Sequence, residues 1–223
     1  MGCALNYIFD DVVIRSENAA KPYTMPSSYL SNYLKEMKLS GCALDFGCGK
    51  LRYSKSLVEK FEWVTFLDSE QQLGREQIIR GVRTSVFDYV TSNYQGSNAV
   101  SYEMMGSIKE KYDFILCSNV LSAIPCKATI NKILSSISEL LKRDGEALIV
   151  NQFRSSYFKK YEKGVKHLYG YLYSGMRGTS YYGILDKKTV EDICIENGLA
   201  IINSWVNDGS SYVKVGVGRQ NKT

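Results

Sequence analysis

The run Ala43-Leu44-Asp45-Phe46-Gly47-Cys48-Gly49-Lys50 holds the most specific chemistry in the chain. A short apolar stretch that ends in Gly-x-Gly and then turns helical brings bare backbone N–H groups close to a ligand, because glycine has no side chain to stand in the way. Dinucleotide binding asks for G-x-G-x-x-G, with glycine at position 52. Arg52 stands there, which weakens that reading. A second carboxylate, Asp68, closes the apolar run VTFLD. His167 is the lone imidazole and none of the six cysteines sits in C-x-x-C, so zinc ligation at ordinary spacing is excluded and no metal is expected.

These groups need elements to hold them. Apolar runs of strand length, Ala43–Gly47, Val64–Asp68, a weaker Val82–Phe87, Tyr112–Ser118 and Glu146–Val150, alternate with helical patterns over Arg52–Phe61, Glu70–Arg80 and Ala128–Leu141. Another helix, Ser27–Met37, precedes the first strand and is expected to pack beside the site cleft. Strands separated by helices predict a parallel sheet with helices on both faces. The end of the chain changes rhythm. A helix over Lys187–Asn197 stops at Gly198, and the strands Ala200–Val206 and Tyr212–Val217 flank Asn207-Asp208-Gly209-Ser210. Asp-Gly between strands predicts an antiparallel hairpin. The expected fold is α/β: a doubly wound, mostly parallel seven-stranded sheet that ends in an antiparallel hairpin.

Asp45-x-Gly-x-Gly at the end of the first strand resembles the first motif of the class I, Rossmann-like S-adenosylmethionine-dependent methyltransferases. Asp68 is similar to that family's acidic residue at the end of the second strand. Tyr112–Pro125 (YDFILCSNVLSAIP) looks like its fourth motif, and Leu140–Val150 (LLKRDGEALIV) like its fifth-strand signature. The resemblance covers roughly residues 40–150 in order, and the terminal hairpin agrees with it. It implies S-adenosylmethionine as cofactor. Asp45 would orient the cofactor's amino-acid moiety, through the loop and water, and Gly47 and Gly49, with Cys48 between them, would let it lie against the backbone. Asp68 would accept both ribose hydroxyls. Ser69, Ser118 and Asn119 complete the implied cofactor set. Asp88 has two readings, a partner of the adenine amino group or a helix cap. Leu51 departs from the pattern by replacing a third glycine, and is read as filling space beside the loop rather than obstructing it.

The segment Asn151–Gly183 lies where the family inserts substrate-recognition elements. It carries seven tyrosines, two phenylalanines and a net charge of +5, equal to that of the whole chain. Aromatics interleaved with cations suit a stacked base and its phosphate, or a flat or acidic small molecule. Tyrosines packed in a core with solvated lysines are the structural alternative. His167, Arg177, Tyr181 and Tyr182 are the expected substrate-side residues, although a structural role suits the lone histidine as well. No catalytic base is assigned. A small-molecule acceptor is favoured, and a nucleic acid is the second class. A third reading is a cofactor-binding protein without activity. The Asn/Asp-Pro-Pro-aromatic motif of amino-methylating DNA enzymes is replaced by Ser118-Asn119-Val120-Leu121, and Pro125-Cys126 is discounted as a nucleophile.

With 44% hydrophobic and 23% charged residues, a packed globular core is expected. No run approaches the roughly 20 apolar residues of a membrane span. Irregular cysteine spacing without a secretory signal suggests reduced thiols in the cytoplasm. One domain is expected over 1–223: an N-terminal arm and helix to residue 40, a cofactor core over 41–150, the insertion 151–183, and a closing helix and hairpin over 184–223.

Overall fold

The computed structural model describes residues 7–9, 11–15, 25–176 and 178–218. In chain order the strands are β1 (Tyr7–Phe9), β2 (Val12–Ile14), β3 (Cys42–Phe46), β4 (Trp63–Asp68), β5 (Gln77–Ile79), β6 (Val82–Thr84), β7 (Ser97–Ser101), β8 (Tyr112–Ser118), β9 (Leu141–Gln152), β10 (Val165–His167), β11 (Gly170–Gly175), β12 (Gly178–Gly183), β13 (Leu199–Asn207) and β14 (Ser210–Val217). The helices are α1 (Ser28–Glu36), α2 (Ser54–Val58), α3 (Glu70–Gly74), α4 (Val86–Asn93), α5 (Lys127–Leu140) and α6 (Lys187–Glu196). Seven strands form one sheet in the order β13-β14-β9-β8-β3-β4-β7. β3 and β7 both run parallel to β4, while β14 runs antiparallel to both β9 and β13. This is the mostly parallel α/β sheet with an antiparallel end that the sequence predicts. Among the described residues, no helix is long and apolar enough to cross a membrane.

Contacts gather the described residues into two units, those of Pro22–Leu116 and those of Leu5–Lys21 with Cys117–Thr223. In the first, Ala43, Leu44 and Phe46 of β3 and Val64, Phe66 and Leu67 of β4 are buried, because each strand is flanked on both edges. Phe61 stacks on Phe114 with ring centroids 5.5 Å apart. Burying such side chains contributes about 1.5–3 kcal/mol each.

Three expectations are corrected here. The helix expected over Glu70–Arg80 stops at Gly74, and that over Arg52–Phe61 shortens to Ser54–Val58. Val82–Phe87 is not the third strand of the main sheet. Only Val82–Thr84 is strand, and it pairs antiparallel with β5 as a separate hairpin. The third parallel strand is β7, which lies at the sheet edge and buries only Ser101. Its sequence SNAVS therefore carries no apolar run to reveal it.

In the second unit, α5 buries Ile130, Ile133, Leu134, Ile137 and Leu140, the stripe that its period predicts. The aromatic segment 151–183 folds as a 3-10 helix, Ser156–Lys163, followed by the antiparallel strands β10, β11 and β12. β2 pairs with β12 in parallel, Ile14 opposite Thr179, and the Arg15 N–H donates to the Thr179 carbonyl at 2.8 Å. The result is a five-stranded sheet, β1-β2-β12-β11-β10. Strands from the expected N-terminal arm thus belong to the same sheet as the insertion. Ile14, Leu172 and Tyr181 form one buried cluster of this unit, and Phe158, Tyr161 and Tyr182 another.

β13 and β14 join through Asp208 (φ 42°) and Gly209 (φ 66°), both left-handed as a two-residue hairpin turn requires. The Gly209 carbonyl accepts from the N–H groups of Phe153 and Arg154, each at 2.9 Å. A Cβ at Gly209 would sit 2.5 Å from the Arg154 carbonyl oxygen. Gly209→Ala is therefore expected to destabilise the chain by about 1–3 kcal/mol through strain and backbone crowding. A urea-denaturation midpoint equal to that of the wild type would refute this.

Candidate functional site

The turn that leaves β3 is shaped by hydrogen bonds from its neighbour β4. The N–H groups of Gly47 and Cys48 both donate to the Leu67 carbonyl, at 2.7 and 3.0 Å. The Gly49 N–H donates to Asp68 Oδ2 at 2.8 Å, and the Ser69 N–H donates to Asp68 Oδ1 at 2.8 Å. Gly47 (φ 76°) and Gly49 (φ 55°) are left-handed, the conformation that glycine adopts without cost. A Cβ placed on Gly49 would meet nothing within 4 Å, so open space lies beside the loop. Leu51 is also left-handed (φ 59°) yet only 1% exposed. Its backbone explains why glycine is the usual residue there, and its burial agrees with the space-filling reading.

Two carboxyls converge on this turn. Asp45 is 3% exposed; burial, and then the negative charge of Asp68, push its pKa up to about 7, with Arg52 acting in the opposite direction. Burial also raises Asp68, against the lowering effect of the Gly49 and Ser69 N–H groups and of Arg75. Burial, and then the negative charges of Asp68 and Asp45, raise the Cys48 thiol well above its usual range. S-adenosylmethionine, which the motifs imply, carries an ammonium and a sulfonium. A buried carboxyl, Asp45, and a half-buried one, Asp68, beside open space and bare loop backbone fit such a cation.

The remaining expected residues divide. Ser69 caps α3, accepting from the Gln72 N–H at 3.3 Å. At the end of β8, Asn119 donates its N–H to the Val150 carbonyl at 2.7 Å and accepts from the Gln152 N–H at 2.8 Å. Its Nδ2 donates to Ser118 Oγ at 3.3 Å. Asp88 is corrected. It stands in the first turn of α4, its N–H donating to Ser85 Oγ at 3.0 Å and its carboxylate accepting from that hydroxyl. The N-cap is Ser85 rather than Asp88, whose carboxylate holds the capping hydroxyl, and Ser101–Glu103 are the residues that leave the true third strand.

On the substrate side, Tyr181 and Tyr182 are interior residues. They are 1% and 4% exposed, Tyr182 stacks on Phe158 with centroids 3.5 Å apart, and its hydroxyl donates to the Gln152 carbonyl. His167 Nε2 lies 2.7 Å from the Pro125 carbonyl oxygen, which only accepts, so Nε2 carries the proton. Its ring packs on Phe9 and Tyr181. Arg177 lies outside the described residues. Cys126 occupies the N-cap position of α5. Sequence reasoning missed Gln72, whose Nε2 donates to the Gly49 carbonyl at 2.8 Å; no motif spacing announces it.

The raised Asp45 fixes a sign. Its folded pKa of about 7 exceeds the ordinary 3.8, so the folded chain holds a proton that the unfolded chain releases. Stability without cofactor falls as pH rises from about 4 towards 7. A cation favours the ionised carboxyl, so affinity for S-adenosylmethionine is expected to climb with pH and level off above about 7. Asp45→Asn should flatten the difference. Titration calorimetry across pH 5.5–8.5 checks this, and parallel profiles for wild type and Asp45→Asn would separate Asp45 from the ligand.

A family profile described as a methyltransferase domain matches residues 44–147. The Escherichia coli (strain K12) protein YmfD, itself uncharacterized, is 60% identical over 216 residues, 97% of this chain and 98% of that one. An S-adenosylmethionine-dependent methyltransferase from Clostridium acetobutylicum ATCC 824 shares the fold, with a TM-score of 0.57 at 14% identity over 80% of this chain and 84% of that one. So does the DhpI–SAH complex, at 0.62 and 11% identity over 85% and 82%. With the strand order, the glycine turn and its two carboxyls in place, the chain belongs to the class I S-adenosylmethionine-dependent methyltransferases.

Proposed function

We propose that this methyltransferase acts on a small-molecule acceptor, within one domain whose core, 41–150, holds the cofactor and whose segment 151–183 serves the acceptor. In this reading Asp45, Gly47, Cys48, Gly49 and Asp68 hold S-adenosylmethionine, with Ser69, Ser118 and Asn119 shaping the strand ends around it. When bound, the cofactor supplies a methyl carbon that its positive sulfur makes electrophilic. The residues then have to bind, orient and exclude water. His167 Nε2 is spent on the Pro125 carbonyl, so positioning rather than base catalysis carries the rate. Segment 151–183 follows the carboxyl end of β9, the end at which open α/β sheets bind ligands.

One observation supports a small acceptor over a nucleic acid. The aromatics of this segment are used on one another. Tyr161 and Tyr182 are buried with Phe158, and the Lys160 ammonium lies 4.8, 5.5 and 6.0 Å from the ring centres of Tyr157, Tyr161 and Tyr173. Bases need exposed rings on which to stack; Phe158, Tyr161 and Tyr182 are buried, and Tyr157 and Tyr173 pack half-buried against them.

Radiolabelled methyl transfer from S-adenosylmethionine into fractionated cell extract is the test. Label is expected in the small-molecule fraction and should survive nuclease and protease. Replacing exposed Lys159, Lys163 and Lys166 with Gln should then leave turnover within about twofold. Label recovered in nucleic acid would overturn the reading, especially if the triple change also made binding less salt-dependent, by about 0.9 in log–log slope for each lost phosphate contact.

A further inference from the structure

The second loop glycine is held from both sides. Its N–H is taken by Asp68, and its carbonyl accepts from Gln72 Nε2, each at 2.8 Å. Gln72 lies in α3, and the orientation of its amide follows from chemistry: a carbonyl only accepts, so the atom facing Gly49 is the NH2 group. Gln77, buried on β5, then fixes Gln72. Gln77 Nε2 donates to the Gln72 carbonyl at 3.1 Å, and Gln77 Oε1 accepts from Gln72 Nε2 at 3.2 Å. Ser69 Oγ holds the Gln72 N–H at 3.3 Å. The β5–β6 hairpin, which belongs to neither larger sheet, is thereby joined through two amides to the turn after β3.

We propose that Gln72 is a positioning residue for the cofactor loop and that Gln77 acts through it. Gly49, like Gly47, has more conformational freedom to lose than the other residues of this turn, having no Cβ. Pinning its N–H and its carbonyl leaves both of its dihedrals settled before a ligand arrives, which removes part of the ordering cost of binding. The inference rests on the reading of this turn as the cofactor site, and the experiment separates the two.

The whole chain is titrated with S-adenosylmethionine by calorimetry, and the thermal midpoint is measured without cofactor. Gln72→Ala is expected to weaken cofactor affinity about tenfold. Gln72→Glu, similar in size but lacking the amide donor, should weaken it at least as much. Gln77→Ala should cost about threefold, and the double Ala variant no more than Gln72→Ala alone, because one residue acts through the other. A merely structural glutamine would lower the thermal midpoint while the folded protein bound normally. Gly49→Asn is the control, since asparagine tolerates the left-handed backbone and its side chain enters the open space. Wild-type affinity in the folded Gln72 variants, with Gly49→Asn failing to bind, overturns the role of Gln72 and leaves the cofactor loop standing. Wild-type affinity in Gly49→Asn as well overturns both. Should Gln72→Ala not fold, Gln72→Glu and Gln77→Ala decide, and normal binding in either overturns the proposal.

Discussion

The carboxylate of Asp68 ties the carboxyl ends of two neighbouring strands together. It accepts across the sheet from the Gly49 N–H and locally from the Ser69 N–H, while the Leu67 carbonyl one residue earlier takes the N–H groups of Gly47 and Cys48. A chain leaving a buried strand must pair its backbone donors, and hydrogen bonds to a charged acceptor contribute about 1.5–3 kcal/mol each. The same group sets the electrostatics, because its negative charge is part of what raises Asp45. Loop shape and site charge thus share one cause. Asp68 pins the Gly49 end of the turn, and its charge makes that turn favour cations.

The second unit makes a different use of polar and aromatic residues. Its tyrosines build a core where aliphatic residues are scarce: Tyr161, Tyr181 and Tyr182 are buried beside Phe158 and Leu172. Buried phenols need partners, and they find them. The Tyr182 hydroxyl donates to the Gln152 carbonyl, and the Tyr161 hydroxyl accepts from Ser180 at 3.2 Å. Burial raises the pKa of both, so these phenols stay neutral donors and acceptors. The positive charge of the segment is left to side chains at its surface.

How much of this was legible in the sequence depended on burial. β3, β4 and β8, flanked on both edges, read as continuous apolar runs, and α5 showed its stripe in full. Asp208-Gly209 announced its hairpin because few residue pairs accept that turn. β7 was missed since an edge strand with one buried residue carries no period. Val82–Phe87 misled because two valines and a phenylalanine resemble a strand, whereas Ser85 ends it by capping α4. That resemblance also places Asp88 at the end of a strand rather than in the first turn of α4. The burial of Tyr181 and Tyr182 is not legible either, because composition does not distinguish a tyrosine that faces solvent from one that faces a core. Gln72 was invisible because its function depends on a carbonyl 23 residues away, and such pairings leave no local pattern.

The small sheet also has an order in time. β2 has β1, its neighbour in sequence, on one edge, but its other edge is completed by β12, made much later. A ribosome makes the chain from its N-terminus, so the donor of Arg15 waits for Thr179 through the synthesis of almost every other element. Throughout that interval Val12 and Val13 sit on an open strand edge, the kind of surface onto which stray strands add. Contacts between distant parts of a sequence are slow to form, so this sheet closes late. Its closure marks the moment at which the growing chain has passed its aromatic segment.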